Sequence, residues 1–353
     1  MTRLSNLINI NQRFIGKPYR PFIIAEMSGN HNHSLERALK IVDAAAECGV
    51  DALKIQTYTA DTMTLNLNTN EFSITDNNSL WKGRSLYDLY KEAYTPWEWH
   101  KPIMDRCHEK GIIFFSTPFD ETAVDFLEDL GVLLYKVASF ENTDIKLIEK
   151  IAKTQKPVII STGMASIAEL DDIVQTMKKQ ENDKLIFLKC TSAYPATAKE
   201  ANLKTISHLQ NMFNVNVGLS DHTMGIGVSL ASIPLGATVI EKHFTLSRSD
   251  GGVDSAFSME PAEMKLLVDE SLKAWEAIGE ISYIKSKSEQ ASAKFKRSLY
   301  ITKDLKSGEI LSKDNIKAVR PGFGLSTKYY DHIIGRKVTR DVKKGTPVSW
   351  DLI

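Results

Sequence analysis

Cysteine is scarce: Cys48, Cys107 and Cys190 are the three among 353 residues. An odd, scattered set excludes a disulfide framework and lacks the paired spacing of a structural zinc site, so a reducing, cytoplasmic setting is expected. Long apolar runs are missing as well. No stretch approaches the ~18–20 uncharged apolar residues of a membrane helix, and the opening MTRLSNLININQRF has no apolar signal-peptide core. Neither export nor membrane insertion is expected. Net charge is zero, 44 Lys plus Arg against 44 Asp plus Glu, which leaves no overall basic field for nucleic acid or an anionic membrane. Internal repeats and low-complexity tracts are absent too.

What remains is an ordinary globular composition, 42% apolar and 25% charged, enough for a large core. From Phe22 to about Gly279, short β-branched or apolar runs alternate with amphipathic stretches, the pattern of parallel strands joined by crossover helices. The runs are 22–26, 52–57, 112–118, 133–139, 157–163, 185–191, 216–221 and 238–244. In SLERALKIVDAAAECG, Leu35, Leu39, Val42 and Ala46 recur at helical spacing, with Gly49 placed to end the helix. Eight such units over roughly 250 residues predict an α/β fold, a (β/α)8 TIM barrel. A doubly wound sheet is the alternative, but the first run is not followed by a GxGxxG turn.

Two segments break the rhythm. Residues 58–95 are too long for an ordinary βα loop and emerge on the face where barrel active sites form, so they are expected to build or cover a pocket. ISYIKSKSEQASA, 281–293, is polar, shows no strand or helix punctuation and reads as a linker. Beyond it, 294–353 shows short strands and the turns DLKSGE and DVKKGTP, giving a small β-rich module. The organisation expected is therefore 1–280, a barrel domain with an N-terminal extension; 281–293, a linker; and 294–353, a C-terminal domain. Charge divides at the same place: from Lys294 onward there are 14 basic against 6 acidic residues, and before it 30 against 38.

Barrel strands are buried on both faces, so a charged side chain near a strand's C-terminal end is costly unless it faces the mouth or is paired. Such residues recur: Glu26; Lys54 and Gln56; Ser116 and Thr117; Lys136 and Ser139; Ser161 and Thr162; Lys189, Cys190 and Thr191; Ser220, Asp221 and His222; Glu241 and His243. His222 and His243 end neighbouring strands and could share a divalent ion with positions left for water and substrate oxygens, as suits Mn2+, Mg2+ or Co2+. Two hydrogen-bonded histidines are the plainer alternative. Lys54, Lys136, Thr117, Ser139 and Ser161 could hold a phosphate or carboxylate, or form an ion-pair layer with Glu26, Glu141 or Glu241. Lys189 raises a rival, since a desolvated barrel lysine can form a Schiff base. His31 and His33 follow the first strand and read as mouth residues, whereas His100, His108, His208 and His332 read as surface residues. The aromatic residues of LWKGRSLYDLYKEAYTPWEWH read first as loop packing and second as a sugar-stacking surface.

Taken in order, IIAEMSGNHN, DALKIQTYTAD, FFSTPFD, YKVASFE, KPVIISTGMA, LKCTSAYP, VGLSDHTMGI and VIEKHFTL resemble the sialic acid synthase family over nearly the whole chain. RSLYITKDLKSGE with RPGFGL is similar to the antifreeze-like (SAF) domain that follows the barrel in that family. IQTYTADTMT and GRSLYDLYKEAYTPWEWH look most like the pseudaminic acid synthase branch, whose acceptor is a 6-deoxy diacetamido sugar, with the neuraminate and legionaminate branches as alternatives. The resemblance implies condensation of phosphoenolpyruvate with an open-chain N-acetylated hexose by C–O cleavage, releasing phosphate and giving a nine-carbon 2-keto acid. It implies metal ligation by His222 and His243. Phosphoenolpyruvate contacts would fall on Lys54, Thr117, Lys136, Ser139, Ser161 and Ser192, where many members carry Asn in place of Ser192. Sugar contacts would fall on Gln56, Tyr194 and Asp254, with Glu141 a further contact and Glu26 the acid/base carboxylate. A homodimer is implied, with Phe295 and Arg320 of the C-terminal domain reaching the partner's mouth. From a different class, a non-catalytic carbohydrate- or ice-binding protein is suggested only by the C-terminal module, and it leaves the polar ring unexplained.

Overall fold

The structure, a computed structural model, describes residues 4–76 and 80–353, so the first three residues of the N-terminal segment and 77–79 of the 58–95 insert lie outside the described residues. Eight parallel strands close into a barrel in sequence order: β1 (Phe22–Glu26), β2 (Ala52–Thr57), β3 (Ile113–Pro118), β4 (Tyr135–Val137), β5 (Val158–Ser161), β6 (Leu185–Cys190), β7 (Asn216–Ser220) and β8 (Val239–His243), with β8 pairing back onto β1. The expected TIM barrel is present. The helices between them lie outside, α1 (Leu35–Glu47), α2 (His100–Glu109), α3 (Glu121–Leu130), α4 (Ile145–Lys153), α5 (Ile167–Lys179), α6 (Lys204–Phe213), α7 (Gly227–Ser232) and α8 (Pro261–Ile278). They start where short polar side chains satisfy orphan amides: Ser34 accepts from Arg37 N, Asp120 from Ala123 N and Ser166 from Glu169 N. The buried stripe of α1 is Ala38, Ile41, Val42 and Ala45, and the expected Leu35, Leu39 and Ala46 sit partly buried at its edges. Gly49 follows at φ +82°, a conformation a glycine adopts without strain.

The alternation of side chains along each strand decides what the barrel contains. Phe22 and Ile24, Ala52, Ile113 and Phe115, Leu134, Ile159, Ile186 and Leu188, and Val239 form one inner apolar cluster. An N-terminal hairpin, Ile8–Ile10 against Arg13–Ile15, adds Ile8, Ile10 and Ile15 to that cluster and closes the end of the barrel from which the strands start. One step further along the same strand faces come Glu26, Lys54, Thr117, Lys136, Ser161, Cys190, Ser220 and Glu241, all buried. The apolar floor thus gives way to a polar layer at the opposite end.

Clustering of the fold separates 4–279 from 280–353. Within the second unit, Ser298–Ile301 (β9) pairs antiparallel with Ile316–Val319 (β10), and Leu299, Ile301, Leu311, Ile316, Val338 and Val348 make its core. The stretch read as lacking helix punctuation has it after all. Ser286 and Glu289 form a capping box that starts a short helix, Lys287–Ser292.

Candidate active site

At the C-terminal end of the strands a cavity of about 450 Å3 opens. Its polar wall includes Glu26, Lys54, Gln56, Lys136, Ser139 and Glu141, and on the other side Ser161, Ser192, Tyr194, His222, His243 and Asp254. Thr117 stands just behind it, its Oγ1 accepting from Lys54 Nζ at 3.1 Å. Phe295 and Arg320 belong to the second unit, and both side chains are exposed.

Lys54 and Lys136 organise the charge. Lys54 Nζ lies 2.8 Å from Glu26 Oε2 and 3.8 Å from Glu241 Oε2, and Lys136 Nζ lies 3.8 Å from Glu241 Oε1. Lys136 donates to Ser161 Oγ at 2.7 Å, and Ser220 donates to Glu241 Oε1 at 3.1 Å. Burial of two carboxylates beside one another separates their proton affinities. Burial raises Glu26 above the usual carboxylate range more than Lys54 lowers it, and the charge of Glu241 adds to the rise. Glu241 is also penalised by burial, yet Lys136 and Lys54 together hold it below its ordinary value. Lys54 is held above its own ordinary value, burial being outweighed by Glu241 and Glu26, whereas burial dominates at Lys136 and lowers it. Glu241 is therefore the more readily charged of the two carboxyls, and Glu26 the one that holds its proton more tightly. In the turn after β4, burial pushes Glu141 up to about 7, and its Oε2 is buried without a hydrogen-bond partner.

The two histidines meet with ring centroids 5.4 Å apart. A carbonyl can only accept, so the 3.0 Å contact of His222 Nδ1 with Thr191 O puts a proton on Nδ1 and leaves Nε2 for a ligand. His243 is held well below its usual value by burial, with His222 and Lys54 adding to the effect, and its Nδ1 is buried without a hydrogen-bond partner. One imidazole oriented by a carbonyl and one with an orphaned nitrogen fit a shared cation, although burial at His222 is outweighed by the Cys190 thiol beside it, which raises His222 above its ordinary value. Among the described residues no group of three His, Cys, Asp or Glu side chains converges on one point, so further ligands would be solvent or substrate oxygens.

Behind the rings the strand ends are tied together. Lys242 and Asp221, which point away from the mouth, form a buried pair at 3.2 Å, and Asp221 also accepts from Ser229 Oγ at 2.6 Å. On the opposite wall, Gly163 allows Ser139 and Ser192 to converge: a Cβ there would lie 2.6 Å from Ser139 Oγ and 2.2 Å from Ser192 Oγ. Lys189 does not join the cavity wall. Strand alternation turns it outward while Leu188 and Cys190 point inward, and its amine donates to Thr191 Oγ1 at 2.7 Å.

The 58–95 insert supplies the remaining wall, which is apolar: Met63, Ile74, Trp81, Leu86, Leu89 and Tyr90. The aromatic residues of the LWKGRSLYDLYKEAYTPWEWH segment divide. Trp97 packs on Phe126 and Trp99 on His31, as loop packing requires, but Trp81 and Tyr90 face the cavity. His31 is buried beneath Thr95, at 3.3 Å, and is not a mouth residue; His33 is exposed. His100 is not on the surface either. It is buried, 2.7 Å from Thr57 Oγ1, because α2 begins where the insert folds back onto β2 and β3. Residues that the sequence reading did not single out also line the cavity: Ser28, Tyr58, Phe119, Phe140 and Val253. They come from turns and from the insert, where no strand period aims a side chain.

A family model described as the NeuB family matches residues 41–283, and a SAF domain model matches residues 296–353. A pseudaminic acid synthase of Campylobacter jejuni is 46% identical over 92% of this chain and 94% of its own length. One from Helicobacter pylori is 42% identical over 94% and 97%. Among solved structures, the N-acetylneuraminic acid synthetase of Leptospira borgpetersenii superposes with a TM-score of 0.72 at 32% identity, covering 83% of this chain and 96% of that one. Matched by the family model across most of its barrel and by relatives along more than nine-tenths of its length, the chain belongs to the NeuB family and carries a SAF domain at its C-terminus.

Proposed function

We propose that the chain condenses phosphoenolpyruvate with 2,4-diacetamido-2,4,6-trideoxy-altrose, consuming water and releasing pseudaminic acid and phosphate. The observation that carries this reading is the division of one cavity into a cationic, hydroxyl-lined wall and an apolar wall from the insert. An anionic three-carbon unit suits the first. A sugar with a methyl group in place of a hydroxymethyl suits the second, because no hydroxyl is then left unpaired against apolar side chains. The similarity to the Campylobacter jejuni and Helicobacter pylori pseudaminic acid synthases supports the same acceptor.

In this reading Lys54 and Lys136 hold the phosphate and carboxylate, with Thr117, Ser139, Ser161 and Ser192 donating to their oxygens. Gln56, Tyr194, Asp254 and Glu141 orient the sugar. C3 of phosphoenolpyruvate forms the new bond to the aldehyde carbon, whose oxygen takes up a proton. Positive charge develops at C2. Water adds there as one of its protons passes to Glu26, and the C2–O bond to phosphate then breaks as the C2 hydroxyl becomes the keto group and its proton leaves with phosphate. The raised proton affinity of Glu26 makes it the stronger base of the two facing carboxylates. A divalent cation, Mn2+, Mg2+ or Co2+, held by His222 and His243 would supply Lewis-acid polarisation of the sugar carbonyl.

The protein is further proposed to act in the cytoplasm as a homodimer, the SAF domain of one subunit lying over the partner's mouth. The exposed side chains of Phe295 and Arg320 support that arrangement. The test is phosphate release from phosphoenolpyruvate with a panel of N-acetylated hexoses, with and without EDTA. Release with the diacetamido trideoxyhexose, abolished by EDTA, is expected. Release with N-acetylmannosamine alone would move the acceptor to the neuraminate branch.

A further inference from the structure

The turn after β1 contains a residue that nothing in the chemistry above uses. Ser28 is buried at 3% exposure, lines the cavity, and sits at φ +47°, a left-handed conformation that a glycine would adopt without strain. A side chain retained in such a conformation has to be explained by what it touches. Its hydroxyl is used in both directions: Oγ donates to Asp254 Oδ2 and accepts from Gln56 Nε2 at 3.1 Å. The same Gln56 amide donates to Glu26 Oε1 at 2.8 Å. Asp254 comes from the loop after β8, more than 200 positions along the chain; besides Ser28, its carboxylate accepts from the backbone of Gly29, and His243 Nδ1 lies 3.8 Å away. One hydroxyl therefore links a loop carboxylate to the amide that holds Glu26.

Resting on the function proposed above, we infer that Ser28 is a positioning residue for the acceptor sugar, fixing Asp254 and Gln56 so that they present one carboxylate oxygen and one amide oxygen to its hydroxyl or N–H groups. Ser28 does not touch the phosphate-binding side. Lys54 and Lys136 have their own partners in Glu26, Glu241, Thr117 and Ser161, none of which is bonded to the Ser28 hydroxyl. Its loss should therefore divide the two substrates.

Ser28→Ala removes the hydroxyl and keeps the strained turn, whereas Ser28→Gly removes the hydroxyl and relieves the turn. With the full chain and a phosphate-release assay, both variants are expected to raise KM for the sugar by about tenfold, the size of one lost orienting hydrogen bond. KM for phosphoenolpyruvate should stay within about twofold, since its contacts are intact. Ser28→Gly, which relieves the turn, should melt above Ser28→Ala, which loses the same bonds and keeps the strain. On an Asp254→Asn background, adding Ser28→Ala should cost little more, because the two act as one unit. A Ser28→Gly enzyme with wild-type kinetics for both substrates overturns the inference and leaves Ser28 a merely structural turn residue. Equal losses for sugar and phosphoenolpyruvate overturn it too. If the wild-type chain turns over no N-acetylated hexose, the functional reading falls first and takes this inference with it.

Discussion

Lys54 Nζ sits 2.8 Å from Glu26 Oε2 with both side chains buried in the mouth of the barrel. The pair is not a simple ion pair, since Glu241 lies on the other side of the same ammonium at 3.8 Å and carries the negative charge more readily. Glu26→Gln keeps the shape and the acceptor for Gln56 while removing the exchangeable proton. Turnover is expected to fall by roughly 10²–10⁴-fold, the usual share of a general base, with KM for phosphoenolpyruvate little changed. Near-full turnover would refute the role of Glu26. Lys54→Met instead leaves buried carboxylates short of a counter-charge, and chemical denaturation should show a loss of about 3–5 kcal/mol.

Glu141 gives a pH signature. Burial raises its folded pKa to about 7 from 4.5. As pH rises past 4.5, the unfolded chain loses this proton while the folded chain keeps it, so rising pH favours unfolding until about pH 7, where the effect levels off. Glu141→Gln is neutral in both states. Thermal melts of the ligand-free protein should show the variant gaining more over wild type at pH 8 than at pH 5; an equal difference at the two pH values would count against a buried, protonated Glu141.

The cradle beside Gly163 can be filled from within. An alanine methyl there would come within 2.2 Å of Ser192 Oγ and 2.6 Å of Ser139 Oγ, so both hydroxyls must swing away. Gly163→Ala should raise KM for phosphoenolpyruvate by at least about tenfold, through loss of oriented donors, and leave sugar binding less affected. Unchanged kinetics for phosphoenolpyruvate would place the anion elsewhere.

His222→Ala and His243→Ala test the proposed shared cation directly. Titration of Mn2+ into the apo protein, followed by electron paramagnetic resonance, should show binding to wild type and its loss in each variant, independent of turnover. Full binding in both variants would remove the histidines from the ligand set.

The barrel and most of the mouth could be read in the chain because strand alternation carries both at once. The same period of two that puts Phe22 and Ile24 in the floor puts Glu26 above them, and the period that runs Val239, Glu241, His243 aims the last of these inward. The expected starts of β1, β2, β6 and β7 coincide with the observed ones, and elsewhere the expected runs overshoot by one or two residues, several of which still bond to the neighbouring strand, as Thr238 O does to Phe22 N and Phe244 N to Glu26 O. Where that period stops, reading stops. Ser28, in a left-handed turn, and Trp81 and Tyr90, on the insert, are aimed by long-range packing that no local pattern encodes. His100 departs from its expected surface position for a related reason: a polar residue at the start of a helix looks like a surface residue in the sequence until its buried partner, Thr57, is known.

The N-terminal hairpin also has a kinetic consequence. With the apolar floor and Ile8, Ile10 and Ile15 of the hairpin filling the far end, no passage leads out beneath the polar layer, so reactants queue at the mouth. The compound bound against the deep lysines has to arrive before the one that rests above it. A sugar that enters early blocks the way down. Initial-rate patterns should accordingly be ordered, with phosphoenolpyruvate first, and excess sugar should inhibit competitively against it, whereas a pattern independent of order would require a second way in.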